Sequence, residues 1–309
     1  MSLAVSVVKR LIQLSQFTPF HGRGNWGSVE KKTETQPSPE AQDVAKAQAE
    51  ADDLEALFRH FPEHDLKSLI AGKDVLDLGS GYGGRTVEYR RKCAARSVAA
   101  CEPFERHISA GKAFAKSLAV DQVDFRLCDD LTIPFDDNAF DIVLSYDVLE
   151  HVLDPRATIR EVHRVLRPGG KAFIVFPPYE MVIAHHLDYI TMFPGLHWIF
   201  GADTIVKAVN GILESPEGKR FNTQPQPLPK LSYRGDTKVL PSLNGLRSAE
   251  FVGLCDDFEI MSKRRRPLLS NRLGPNHVVT RSLGLVMKLS DRMADRFCQT
   301  FCIAIQKPA

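Results

Sequence analysis

Five short apolar runs, at residues 75–78, 97–101, 123–128, 141–145 and 171–176, are separated by stretches in which apolar residues recur every three or four positions. Runs of this length read as buried strands and the stretches between them as helices, so the chain predicts βαβ units and a parallel sheet. One helix can be followed residue by residue. Asp154 suits an N-cap and Pro155 the first helical position, Ile159, Val162, Val165 and Leu166 recur at helical spacing, and Pro168-Gly169 stops it. Residues 41–61 also carry a helical pattern, whereas 21–40 hold little that can be buried and read as a flexible linker. Residues 177–240, with a Pro-punctuated loop at 219–229, read as an insertion over the sheet. Two further strands are expected at 258–261 and 300–306, with helical residues between them; no internal repeat is present.

Composition narrows the class. A chain of 309 residues, 43% hydrophobic and 25% charged, matches a soluble globular protein of one domain with insertions, or at most two domains. The net charge of +2 gives no strong field for nucleic acid or anionic lipid, so affinity for either would need a local basic patch, and the one such run, Lys263-Arg264-Arg265-Arg266, reads as a solvated strand end. The six cysteines form no CxxC pair and show no metal-ligand spacing, which predicts free thiols, no disulfide and no zinc in a reducing compartment. The N-terminal residues 2–14 lack both an apolar core and a cleavage site for secretion. The apolar stretch at 181–213 is broken by His185, His186, Asp188, Pro194, Gly195 and Asp203, so no membrane span is expected. A cytoplasmic protein follows, with peripheral membrane contact left open.

The strongest local signal is the first strand running into a glycine-rich turn, Val75-Leu76-Asp77-Leu78-Gly79-Ser80-Gly81-Tyr82-Gly83-Gly84. Glycines there let the backbone approach a ligand closely. Gly79, Gly81 and Gly84 satisfy GxGxxG, and Glu102 follows at the distance a nicotinamide-dinucleotide site uses, so the glycines alone do not choose the ligand. Asp77 does. A carboxylate beside the turn welcomes a cationic amino-acid ligand better than a pyrophosphate, which points to a methionine-type cofactor.

Asp77-Leu-Gly-Ser-Gly-Tyr-Gly, Glu102, Asp129-Asp130 before Ile133-Pro134-Phe135, Phe140-Asp141-Ile142-Val143 and Leu166-Arg-Pro-Gly-Gly170 together resemble the motif series of class I S-adenosylmethionine-dependent methyltransferases, most closely the type 11 subgroup. The resemblance covers about residues 73–176. It implies an α/β fold, a Rossmann-like, mostly parallel sheet with helices on both faces, an antiparallel final strand and a helical insertion after the fifth strand. It divides the chain into an N-terminal extension (1–40) and a methyltransferase domain (41–309), the latter comprising a cofactor-binding core (73–176), an acceptor or lid insertion (177–240) and C-terminal strands with a helical insertion (250–309).

By the same resemblance, S-adenosyl-L-methionine is the cofactor. Asp77 and the turn at Gly79, Ser80, Gly81 and Gly83 would hold its methionine and ribose moieties, Glu102 both ribose hydroxyls, Asp129 the adenine amino group with the Asp130 backbone beside it, and Ser145 would border the methyl end. The alternative for Glu102 and Asp129 is that each caps a strand-to-helix turn. After the fourth strand, Tyr146 would offer its ring face to the sulfonium cation, Asp147 would orient the acceptor, and His151 would remove a proton; alternatively Glu150 and His151 simply start a helix. In the insertion, Tyr179, His185, His186, Asp188, Tyr189, His197 and Trp198 suit an acceptor pocket or lid, with Tyr179, His186 and His197 as acceptor contacts and His186 as a second candidate base. A bland amphipathic cap with satisfied histidines fits them too. His186 and His197 lie eleven positions apart with no HExxH, so no metal is expected. The expected reaction is O- or N-methylation of a small-molecule, sugar or lipid-linked acceptor by in-line displacement. A protein or nucleic-acid methyltransferase and a non-catalytic module of the same fold are the alternatives, and the chain has no long basic stripe for nucleic acid.

Overall fold

The computed structural model describes residues 2–18, 38–129, 132–184, 186–187, 189–216, 218, 231 and 239–309. Its centre is a sheet ordered β3-β2-β1-β4-β5-β7-β6. The strands are β1 Asp74–Leu78, β2 Ser97–Glu102, β3 Val123–Leu127, β4 Phe140–Tyr146, β5 Leu166–Phe176, β6 Glu259–Pro267 and β7 Cys298–Gln306. The first five run parallel, and β7 lies antiparallel between β5 and β6. Strand order reverses between β1 and β4, which opens a crevice at their C-terminal ends.

The near-continuous apolar runs of the sequence are explained by burial of both faces. Leu76, Leu78, Val143 and Ile174 point to one side, where Ile159, Val162 and Val165 of one helix cover them. Their neighbours Val75, Ile142, Leu144, Phe173 and Val175 point to the other, under Leu54, Leu57, Leu66 and Ile70. Alternation with period two on a sheet buried on both sides leaves no polar face to break the runs.

The helices that position the site are α1 Leu3–Ser15, α2 Pro39–Asp52, α3 Leu54–Phe58, α4 Leu66–Ile70, α5 Gly84–Arg91, α6 Glu105–Ser117, α7 Pro155–Val165, α8 Leu196–Ile199 and α9 Ala202–Leu213. Asp154 caps α7 through its side chain, which accepts from the backbone N–H groups of Arg156 and Ala157. That helix ends at Val165 rather than at Pro168-Gly169, because Leu166 is already extended and pairs with Phe140 of β4. The single helix expected at 41–61 is divided at Asp53 into α2 and α3, and α2 begins inside the expected linker, capped by Ser38. Residues 21–37 of that linker lie outside the described residues.

The N-terminal extension is not a free arm where it is described. Val5, Val8 and Ile12 of α1 pack against Ile205, Val209 and Ile212 of α9, and the Ser15 hydroxyl lies 2.8 Å from that of Thr191. The apolar stretch at 181–213 is therefore the partner of an N-terminal helix. Among the described residues no helix is long and apolar enough to cross a membrane, and the six cysteines are unpaired.

Candidate active site

The turn after β1 is built on left-handed backbone. Gly79 and Gly81 have φ of 73° and 56°, and a Cβ on Gly79 would run into the Val148 side chain. Such backbone favours glycine. Two carboxylates hold the turn from opposite sides. Glu102, at the end of β2, accepts from the Gly81 N–H at 3.1 Å. Glu50, on α2, accepts from the Tyr82 and Gly84 N–H groups, each at 3.0 Å. Both place negative charge at the start of α5, where the helix dipole favours it. Asp77 lies beneath the turn, fully buried, and accepts from the Thr86 hydroxyl at 2.6 Å. Burial pushes its pKa up to about 6.

A cavity of about 550 Å³ opens at the crevice, within the range of cofactor pockets. Gly79, Gly81, Glu102 and Asp129 line it together with Tyr146, Asp147 and His151, so these seven of the expected residues share one space, whereas Asp77 and His186 are not part of its lining. The donor set fits an adenosyl ligand. Glu102 is only 6% exposed, and burial raises its pKa while the His107 ring, 2.9 Å from its other oxygen, counteracts the rise. The Ser80 and Ser145 hydroxyls are buried with no protein partner among the described residues, and neither residue lines the cavity. Asp129 lines the cavity and accepts from the Thr132 N–H at 2.7 Å. Asp130 lies outside the described residues. Gly83 is placed otherwise: a Cβ there would meet Phe125 and the Gly111 backbone, so it serves packing of α5 against α6 and β3.

At the far part of the cavity one face of the Tyr146 ring is already covered by Arg85, whose guanidinium carbon sits 4.9 Å from the ring centroid. Asp147 has a left-handed φ of 56°. Its side chain lines the cavity and is solvent-exposed, while the surrounding protein atoms push its pKa up to about 6, partly offset by Arg85 and reinforced by Asp53. His151 donates from Nδ1 to the Ser242 carbonyl at 2.6 Å. Because a carbonyl only accepts, this bond fixes the neutral tautomer and leaves the basic lone pair on Nε2. That nitrogen lies 3.8 Å from Glu150, a buried carboxyl whose oxygens have no hydrogen-bond partner among the described residues and whose pKa burial raises well above the ordinary range.

The His186 ring, carried on strained backbone with φ of 50°, lies 4.9 Å from that of His151. Donor atoms of Glu150, His151 and His186 thus fall within 4.8 Å of one another, a grouping that no spacing in the sequence announces. His197 and Tyr179 are placed elsewhere. Neither lines the cavity; their rings pack edge to face at 5.4 Å within the insertion, and burial pushes the His197 pKa down to about 4, so it is neutral near pH 7. His185 and Asp188 lie outside the described residues.

Residues 76–174 match a family described as a methyltransferase domain. Over that stretch the chain is similar to class I S-adenosylmethionine-dependent methyltransferases of the type 11 kind. This methyltransferase domain is similar to cycloartenol-C-24-methyltransferase 1 of Oryza sativa subsp. japonica, 34% identical over 138 residues that make up 43% of this chain and 38% of that protein. It is also similar to norajmaline N-methyltransferase of Rauvolfia serpentina, 36% identical over 107 residues, or 33% of this chain and 35% of that one. The chain thus spans well under half the length of these curated relatives. Among solved structures, an S-adenosylmethionine-dependent methyltransferase from Mesorhizobium loti aligns over 82% of this chain and 97% of its own, at 15% identity and a TM-score of 0.49.

Four residues at the methyltransferase site escaped the sequence reading. Arg85 and Ser242 line the cavity. Asn244 donates from its side chain to the Leu149 and Val152 carbonyls, at 2.6 and 3.0 Å, and its own N–H donates to the Glu150 carbonyl, so the segment just after the insertion clamps the turn that carries His151. Glu50 had one available signal. Ala47 and Ala51 share its helix face, and small residues at that spacing mark a close helix contact, here with Gly84, where a Cβ would run into the Ala47 carbonyl.

Proposed function

We propose that this protein methylates a small-molecule or lipid-linked acceptor at oxygen or nitrogen, with the acceptor held between Asp147 and His151. The observation that carries the reading is the single cavity shared by Gly79, Gly81, Glu102 and Asp129 with Asp147 and His151. S-adenosylmethionine, when bound, supplies an electrophilic methyl group on a sulfonium. Gly79, Ser80 and Gly81 hold it by close backbone approach, Glu102 accepts from its ribose hydroxyls, and Asp129 takes the adenine end.

On the acceptor side, Asp147 orients the nucleophile and His151 takes its proton at Nε2, while the Ser242 carbonyl keeps Nδ1 protonated and the ring in place. Positioning of this kind contributes about 7 to 11 kcal/mol to lowering a barrier, and a placed base a further factor of about 10² to 10⁴. The apolar parts of the cavity wall, Leu78, Phe104, Ile133, Val148 and Val152, suit an acceptor with hydrocarbon surface. Cycloartenol and norajmaline, named in the similar proteins above, support an acceptor with hydrocarbon surface; the first protein is named for methylation at carbon and the second for methylation at nitrogen.

Titration calorimetry with S-adenosylmethionine and with its demethylated product tests the cofactor half. Incubation with pooled small molecules and lipids, followed by mass spectrometry for the gain of one methyl group, tests the acceptor half. Absence of cofactor binding overturns the whole reading; cofactor binding with methylation of protein or nucleic acid alone overturns the acceptor class.

A further inference from the structure

Residues 260–290 contain seven lysines and arginines and no aspartate or glutamate, in a chain whose net charge is only +2. Two of the seven are used internally: Arg265 pairs with Asp291 and Asp295, and Arg266 lies 3.1 Å from His60. The other five, Lys263, Arg264, Arg272, Arg281 and Lys288, make no ion pair among the described residues. Lys263 and Arg264 sit on β6, the edge of the sheet, where cations guard against strand addition. That role does not account for the helix beside them.

The helix Val278–Val286 and the turn after it present their apolar side outward. Val278, Leu285 and Leu289 follow one helical face and are 70%, 65% and 75% exposed, while Thr280 is the buried residue of the helix. An ordinary surface helix turns such a stripe inward. Arg281 and Lys288 flank the stripe on one side by helical spacing. Lys288 also shares a hollow of about 450 Å³ with Lys263 and Arg264, between the helix and the edge strand. An outward apolar stripe bordered by cations is the arrangement of helices that lie in a membrane interface.

We propose that this face docks on an anionic lipid bilayer, with Val278, Leu285 and Leu289 entering the acyl boundary and Lys263, Arg264, Arg281 and Lys288 meeting the phosphate headgroups. A second copy of the chain is disfavoured as the occupant, because pairing this face with itself would oppose cation to cation, and Asp291, the carboxylate that lines the hollow, is already paired with Arg265. Vesicle binding needs neither cofactor nor acceptor, so its result stands apart from that of the proposed reaction.

The test is flotation of the full chain with vesicles of phosphatidylcholine alone and of phosphatidylcholine doped with phosphatidylserine. The wild-type protein should float with the anionic vesicles, and less so as salt is raised. Arg281→Gln with Lys288→Gln should weaken that binding by on the order of thirtyfold, since each cation at an anionic surface contributes about a factor of five. Leu285→Ser with Leu289→Ser should weaken it about tenfold or more and leave the melting temperature nearly unchanged, because both side chains are exposed. Failure of the wild-type chain to bind anionic vesicles overturns the proposal, as does equal binding to both vesicle types or undiminished binding by both double variants. Concentration-dependent dimers that the leucine variant dissolves, without vesicle binding, would give the face to a second copy instead.

Discussion

Removing the carboxylate of Glu102 tests the cofactor site at a buried group that lines the cavity. Each charge-assisted bond to a ribose hydroxyl contributes roughly 1.5 to 3 kcal/mol, so losing one weakens binding by about tenfold to just over a hundredfold. The structure places both oxygens usefully, one on the Gly81 N–H at 3.1 Å and the other 2.9 Å from His107. Glu102→Ala removes acceptor and turn contact together and should reach the upper part of that range. Glu102→Gln keeps a carbonyl acceptor for the Gly81 N–H and should fall in the lower part. The assay is titration calorimetry with the demethylated cofactor product, near neutral pH, on variants whose unfolding midpoints have been compared with wild type. Unchanged affinity in a folded Glu102→Ala protein would remove this residue from the site and leave it as a cap for the turn. A loss that appears equally in Gln and Ala would say that charge, rather than acceptor geometry, is what the ligand feels.

His151→Ala should lower the single-turnover rate by about 10² to 10⁴ with cofactor affinity nearly unchanged, whereas His186→Ala should act on the Michaelis constant for the acceptor; a wild-type rate in His151→Ala moves the base to the insertion. Asp77 titrates near 6 when folded and near 3.8 when unfolded, so between about pH 4 and 6 the folded chain holds a proton the unfolded chain has lost, and stability falls as pH rises through that window. Asp77→Asn should lose that slope, worth on the order of 3 kcal/mol, and denaturant melts of the two proteins across the window will show it. From the missing ligand spacing in the sequence, the purified protein should carry far less than one equivalent of transition metal; a full equivalent that vanishes in His186→Ala would make Glu150, His151 and His186 a cation site and occupy the His151 nitrogen assigned to proton transfer.

Much of the cofactor side was legible because it is local. Gly79, Gly81, Glu102 and Asp129 each sit at the C-terminal end of a strand that announces itself by its apolar run, and a parallel sheet brings such ends to one edge. The acceptor side was less legible because its geometry is made by contacts distant in sequence. The Ser242 carbonyl that fixes His151 lies 91 residues from it, and nothing in an Asn at 244 marks it as the clamp of the turn at 148–152. The aromatic and histidine cluster of the insertion misled for a related reason. Tyr179 and His197 carry side chains suited to a pocket, yet the insertion must bury an interior of its own, and they pack there with Trp198.

Glu50 bears on how such proteins can be recombined. A fragment cut at the bounds of the matched family, 76–174, would include the glycine turn but neither the α2 carboxylate that holds its Tyr82 and Gly84 N–H groups nor the two strands that complete the sheet beyond β5. Two helix-terminal amides would be left without their partner at the point where the ligand must bind. The portable unit therefore begins near Ser38, which caps α2, and a chimera with a crossover between α2 and the glycine turn should carry Glu50 and Ala47 across together with Gly84.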